Sequence, residues 1–255
     1  LVEFRALRMQ HTAERAAALA CLLRALVAML MRRERPAPLV AWAAELHERY
    51  ALPFYLDQDL GEVLSDLDGA GFGLSEPLRD RLLADEFRNL AEFEFEGCAF
   101  HLRRAAEFWP LVGDISSQEQ GSSRLIDSST QRLELLLRAR PGREHGVDGW
   151  QVRAGGIDLP LVSESDGDAV KVFGLRYRGF VPWQGLHPTL GASDSVSMTL
   201  HHRGVRRACE LRWYEWRPTG GPYPGWPEDL DEARERRSER LVPRVFDRSE
   251  MPPPQ

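Results

Sequence analysis

The sequence predicts an α+β protein with helices first and strands after, and three observations carry that reading. Apolar residues recur at helical spacing up to about Gly69-Ala70-Gly71; from Phe93 onward the period falls to two; and Gly, Pro and Asp then interrupt the chain at short intervals. The spacing divides the chain into residues 1–113, helical with a closing hairpin; 114–220, an antiparallel β-sandwich-like domain; and 221–255, a charged helix and a Pro-rich tail.

The first stretch, Leu1-Val2-Glu3-Phe4-Arg5, alternates as a strand does, with Val2 and Phe4 on one face and Glu3 and Arg5 on the other. An acid and a guanidinium projecting side by side could hold a metal and a phosphate, or could form a cross-strand salt bridge on a solvated face. A strand needs a sheet, so the expectation is that this chain is the C-terminal piece of a larger protein, unable to catalyse alone. Thr12 reads as the N-cap of a helix to about Arg33, with Ala16, Leu19, Leu23, Leu26, Val27 and Leu30 on its buried stripe. Pro36 and Pro38 end it. A second helix is expected over about 39–50 with Pro53 closing it, and a third over about 57–68 ending at the glycines.

Glu96-Gly97 reads as the turn of a hairpin, because Phe93 and Phe95 alternate with glutamates before it and Phe100 and Leu102 follow it. After the polar linker from Ser116 to Ser123 come strand candidates at Leu133/Leu135/Leu137, Val152, Ile157/Leu159/Leu161, Val170/Val172, Leu175/Tyr177, Val196/Met198/Leu200 and Leu211/Trp213. Short strands at this spacing suggest a β-sandwich. A mixed-charge helix is expected near Glu228 to Arg240.

Composition narrows the function. A net charge of −6 gives no basic field for a phosphate backbone, so nucleic acid is not an expected partner. The longest apolar run, Ala16 to Met31, contains Arg24 and suits a packed helix better than a membrane span. Three scattered cysteines make neither a disulfide framework nor a Cys-x-x-Cys metal site, and the cytoplasm is the expected compartment.

Val2-Glu3-Phe4-Arg5 followed by an Ala/Leu helix resembles the late Glu-x-Arg strand and helix of glutamine-synthetase-like carboxylate-amine ligases. Further blocks continue the likeness in order: Leu22 to Ala28, Trp42 to Pro53, Asp59 to Leu64, Arg124-Leu125-Ile126-Asp127-Ser128-Ser129, and Leu186-His187-Pro188-Thr189-Leu190-Gly191. Together they resemble a family of large bacterial proteins that join a transglutaminase-like cysteine peptidase domain to an amidoligase of the glutamine-synthetase-like fold. The resemblance implies ATP-dependent amide formation through an acyl-phosphate, with Mg or Mn as the metal. On it, Glu3 is an oxygen ligand to the metal and Arg5 contacts the nucleotide phosphate or the acyl-phosphate. It further implies that residues 1–113 close the catalytic domain. The partners it implies are the upstream catalytic and transglutaminase-like domains of the same polypeptide and a peptide or amino-acid-like substrate. Where the family pattern leads to expect Glu and then Met-Pro-Pro-His, the chain has Arg8-Met9-Gln10-His11.

Other residues invite blander readings. His187 reads as a loop brace; His201 and His202 are adjacent on a strand and point to opposite faces, so they cannot share a metal. Asp57, Asp59, Asp66 and Asp68 read as a solvated helix face, and Gly155-Gly156 as a hairpin turn. Trp150, Trp183, Trp213, Tyr214 and Trp216 are either core or a stacking surface. The second choice supports a rival function, a non-catalytic β-sandwich module that binds a peptide, a glycan or another domain.

Overall fold

A computed structural model describes residues 9–10, 12–32, 40–84, 88–108, 111–112, 126–139, 147–164, 170–180 and 191–251. The protein is α+β, as predicted, and divides into two units: Leu1–Tyr50 with Phe54–Glu86, and Ala51–Pro53 with Phe87–Gln255.

The first unit holds α1 (Ala13–Arg32), α2 (Glu45–Tyr50), α3 (Pro53–Gly69) and α4 (Glu76–Leu83). Thr12 caps α1, its Oγ1 accepting from the Arg15 amide at 3.2 Å. The buried face is turned from the expected one: Ala18, Leu22 and Met29 are buried with Leu64 and Leu67 of α3 and Leu82 of α4, Leu19 and Leu26 pack partly against them, and Ala16 and Leu30 are exposed. Each leucine buried this way is worth about 1.5–3 kcal/mol. Arg15 also donates through Nη1 to the carbonyl oxygens of Arg81 (2.9 Å) and Ala84 (2.5 Å), which α4 cannot satisfy internally at its end.

Two helix expectations change. The second helix is confined to six residues because Ala43 sits at φ +49°, a left-handed conformation that a helix cannot contain. The third begins at Pro53, four residues early, since a proline fits the first turn where its missing N–H costs nothing. Between them Arg49 is stacked on Trp42 and Tyr55, its guanidinium carbon 4.6 and 4.9 Å from the two ring centres.

The second unit contains β1 (Asn89–Phe95), β2 (Cys98–Ala105), β3 (Leu111–Val112), β4 (Ile126–Asp127), β5 (Thr130–Ala139), β6 (Trp150–Ala154), β7 (Ile157–Asp158), β8 (Leu161–Glu164), β9 (Val170–Arg178), β10 (Ser195–His202), β11 (Arg207–Tyr214), α5 (Leu230–Ser238) and β12 (Leu241–Asp247). They form two five-stranded antiparallel sheets, in the orders β1-β2-β5-β9-β8 and β12-β11-β10-β6-β7, besides the small β3-β4 ladder. The hairpin turn falls at Glu96 and Gly97, both at positive φ, as a two-residue turn between twisted strands requires.

The two sheets face each other across one core. Phe100, Leu137 and Phe173 come from the first sheet, and Trp150, Leu200 and Leu211 from the second. Trp150 makes the contact visible: its ring meets Phe100 edge-on at 5.1 Å, and its Nε1 donates to Cys98 Sγ at 3.1 Å. Strand alternation explains which residues enter the core, since Met198 and Leu200 are buried while Ser197 and Thr199, alternating with them, are only half-buried. The sequence reading has no strand after residue 220, yet β12 lies at the edge of the second sheet, with Pro243 opposite Leu211. No helix among the described residues is long and apolar enough to cross a membrane.

Candidate functional site

Glu3 and Arg5, the metal and phosphate residues expected from the sequence, lie outside the described residues, as do His187 and Trp183. Among the described residues no group of three or more His, Cys, Asp or Glu is placed to hold a metal ion. Asp68 pairs with Arg79 of α4 and Asp59 accepts from Tyr50 of α2, so these two aspartates tie α3 to its neighbouring helices. His201 and His202 do turn to opposite faces: His201 Nε2 meets Gln151 Oε1 at 3.0 Å, while His202 Nε2 meets the Asp148 carbonyl. Gly149, at φ +86°, leaves room for the His202 ring, because a Cβ there would come within 2.7 Å of His202 Nε2.

Part of one family-like block is now placed. Asp127 is buried, its Oδ1 accepting from the Ser129 amide (3.0 Å) and hydroxyl (2.5 Å). Arg178 closes the group, donating through Nε to Ser129 Oγ at 2.8 Å and through Nη2 to Asp127 Oδ2 at 3.4 Å. One negative and one positive charge are thereby matched inside the unit, which marks the block as a structural knot between β4 and β9. Glu134, fully buried on β5, is matched in the same way by Arg103 of β2, whose Nε donates at 2.7 Å.

One concavity has a different character. It is a cleft of about 650 Å³, within the size range of ligand sites, in the second unit. Four guanidiniums line it, Arg104 from β2 and Arg236, Arg237 and Arg240 from α5 and the residues after it, and no Asp or Glu is among the lining residues. Trp216, Tyr223 and Trp226 supply its aromatic walls. Asp229 starts α5 by accepting from the Glu232 amide at 2.8 Å, and the helix then brings Arg236 and Arg237 to the cleft.

Polar groups of the wall are used internally. Trp216 Nε1 donates to the Gly221 carbonyl at 2.8 Å, Arg236 Nη1 to Gly225 at 2.8 Å and Arg217 Nη1 to Pro222 at 2.8 Å. Trp216 packs edge-on against Tyr223 at 4.9 Å, and Arg240 lies 5.5 and 5.7 Å from the centres of those two rings. Arg240 also donates through Nε to Tyr223 Oη (3.2 Å) and through Nη1 to the Glu215 carbonyl (2.9 Å). Two carboxylates stand behind the cleft, Glu215 on Arg104 at 3.1 Å and Glu232 on Arg236. Burial, followed by the positive charges of Arg240, Arg234 and Arg104, pushes the Arg237 pKa below the usual arginine value. Chemically, the cleft offers hydrogen-bond donors, positive charge and ring faces.

Of the aromatics singled out in the sequence, Trp150 and Trp213 belong to the core, and Trp216 alone of the described ones lines the cleft. Tyr223 and Trp226 are additions. Their signal was present in Gly220-Gly221-Pro222-Tyr223-Pro224-Gly225-Trp226-Pro227, where aromatics alternate with turn residues beside a basic helix.

The whole chain, residues 1–255, matches the family described as "Putative amidoligase enzyme (DUF2126)". The chain belongs to that family. No curated protein and no solved structure matches it.

Proposed function

We propose that this chain serves an ATP-dependent carboxylate-amine ligase that makes an amide bond through an acyl-phosphate. The observation that carries the reading is the family match over residues 1–255, joined to the Glu-x-Arg pattern at Glu3 and Arg5. In the reaction, a substrate carboxylate oxygen takes the terminal phosphoryl group of ATP, releasing ADP. The amine then attacks the acyl carbon, the C–N bond forms as the C–O bond to phosphate breaks, and the nitrogen loses a proton.

Divalent metal, Mg or Mn, would neutralise phosphate charge there, and hard oxygen ligands suit both ions. Glu3 would supply one such oxygen. On this reading the remaining ligands would lie outside the described residues, which contain no group of three or more His, Cys, Asp or Glu placed to hold a metal. Arg5 would hold phosphate oxygens as a planar, permanently charged donor. Following the resemblance, the partner domains are a glutamine-synthetase-like catalytic core and a transglutaminase-like domain of the same polypeptide. The substrate is a peptide or amino-acid-like acid, and the compartment is the cytoplasm.

The test is calorimetry of ATP binding to the natural full-length protein, with Mg and with Mn, beside a folded Glu3→Ala/Arg5→Ala variant. Metal-dependent binding that disappears in the variant is the expected result. Binding unchanged by the double substitution, or none in the full-length protein, would remove Glu3 and Arg5 from the reading.

A further inference from the structure

The cleft of the second unit has no part in the ligase chemistry just proposed and stands on observations of its own. Its hydrogen-bond acceptors are already engaged: the carbonyls of Gly221, Pro222, Tyr223 and Gly225 each receive a donor from within the wall. Its donors are in surplus. Arg240 uses Nε and Nη1, and no partner for its Nη2 is present among the described residues. The charged groups on the lining are all guanidiniums, and Glu215 and Glu232, which pair with Arg104 and Arg236, stand behind it. A ligand that fits must therefore bring acceptors and negative charge.

The aromatic side specifies the rest. Trp226 is 93% exposed and Trp216 52% exposed, although both are large apolar groups beside a concavity. Exposed rings of this kind gain from covering by an apolar or aromatic group. Trp216 is fixed by its bond to Gly221 and by Tyr223, so little freedom is lost on binding. A bare anion would satisfy the guanidiniums and leave the rings uncovered.

We propose that this Arg/Trp cleft binds a peptide segment in which carboxylate side chains alternate with aromatic or proline residues. The carboxylates sit on Arg240 and Arg104, and the apolar residues cover Trp216 and Trp226. The second unit is thereby a receptor for acidic peptide, a role that holds whether or not the chain takes part in amide formation.

The experiment uses the full-length protein, with tryptophan fluorescence and calorimetry as readouts. The probe is a blocked pentapeptide of sequence Phe-Glu-Pro-Glu-Phe, and the control has Gln in place of both Glu. The Glu peptide is expected to bind at least about tenfold more tightly than the Gln peptide, the size of one charge-assisted hydrogen bond. Trp226→Ala, at a surface position that leaves the fold intact, should weaken binding by roughly fivefold. Equal binding of the two peptides, no binding of either, or an unaffected Trp226→Ala variant would each overturn the proposal. Inorganic phosphate serves as a second probe. If phosphate binds as tightly as the Glu peptide and displaces it, the cleft is a bare anion site and the peptide assignment falls.

Discussion

The second unit contains two clusters of charge that differ in their arithmetic. In the knot at Asp127, Ser129 and Arg178, one acid meets one base among the described residues, both are buried, and the serine between them uses both its amide and its hydroxyl. In the cleft, four arginines and no Asp or Glu are on the lining, and the aromatic walls are partly open to water. A cluster whose charges close on themselves holds the fold; one with donors left over is built to receive something.

Removing one half of the balanced cluster should have the largest effect. Arg178→Ala leaves Asp127 charged and buried without its partner, and denaturant unfolding should show a loss of about 3–5 kcal/mol. A loss under about 1 kcal/mol would mean that the knot is not what holds β4 to β9. Next in size is the support of the cleft. Asp229→Ala removes the cap of α5, which carries Arg236 and Arg237, and should cost about 1 kcal/mol by the same measurement. Trp226→Ala should change stability least, by under about 0.5 kcal/mol, because the ring is almost wholly exposed. A large loss there would make the cleft a piece of structure and erase the contrast.

An intermediate case sharpens it through pH. Glu210 on β11 accepts from the Ser197 hydroxyl at 2.5 Å and from Arg212 at 3.0 Å, and first the serine, then the arginine, hold its pKa below the usual carboxylate value. A carboxylate with a depressed folded pKa adds stability above its unfolded pKa and loses it as pH falls through the folded one. Ser197→Ala should therefore raise the Glu210 pKa in a carbon-detected NMR titration. It should also flatten the fall of stability between neutral pH and the acid side of the carboxylate range. An unmoved titration would show that the hydroxyl does not set this charge.

The regular elements were legible where one period dominated. The Ala/Leu stripe from Ala16 to Leu30 gave α1 to within a residue at each end, and the Leu133/Leu135/Leu137 alternation gave β5. Proline misled at Pro53, because the same residue ends one helical run and begins another. It misled again at Pro243, which made residues 241–247 look like tail, although an edge strand accepts a proline. The short α4 was not anticipated, yet Ser75-Glu76-Pro77 carries its start signal. The cleft was hidden for a different reason: Arg104 comes from β2, more than a hundred residues before Trp216, and only sheet pairing and the placement of α5 bring them to one concavity. Local pattern reports what each residue prefers and is silent on which distant side chains share a wall.

Pro243 has a consequence for the life of the protein in a crowded solution. Leu241-Val242-Pro243-Arg244-Val245-Phe246 is an apolar strand on an open edge, with Val242 and Val245 exposed, the kind of segment onto which a second chain could add itself strand by strand. The proline deletes one amide from that edge, and Arg244 places a charge beside it. The same residue that made the strand hard to read therefore guards it, ending the sheet with its own chain and denying the edge to a neighbour.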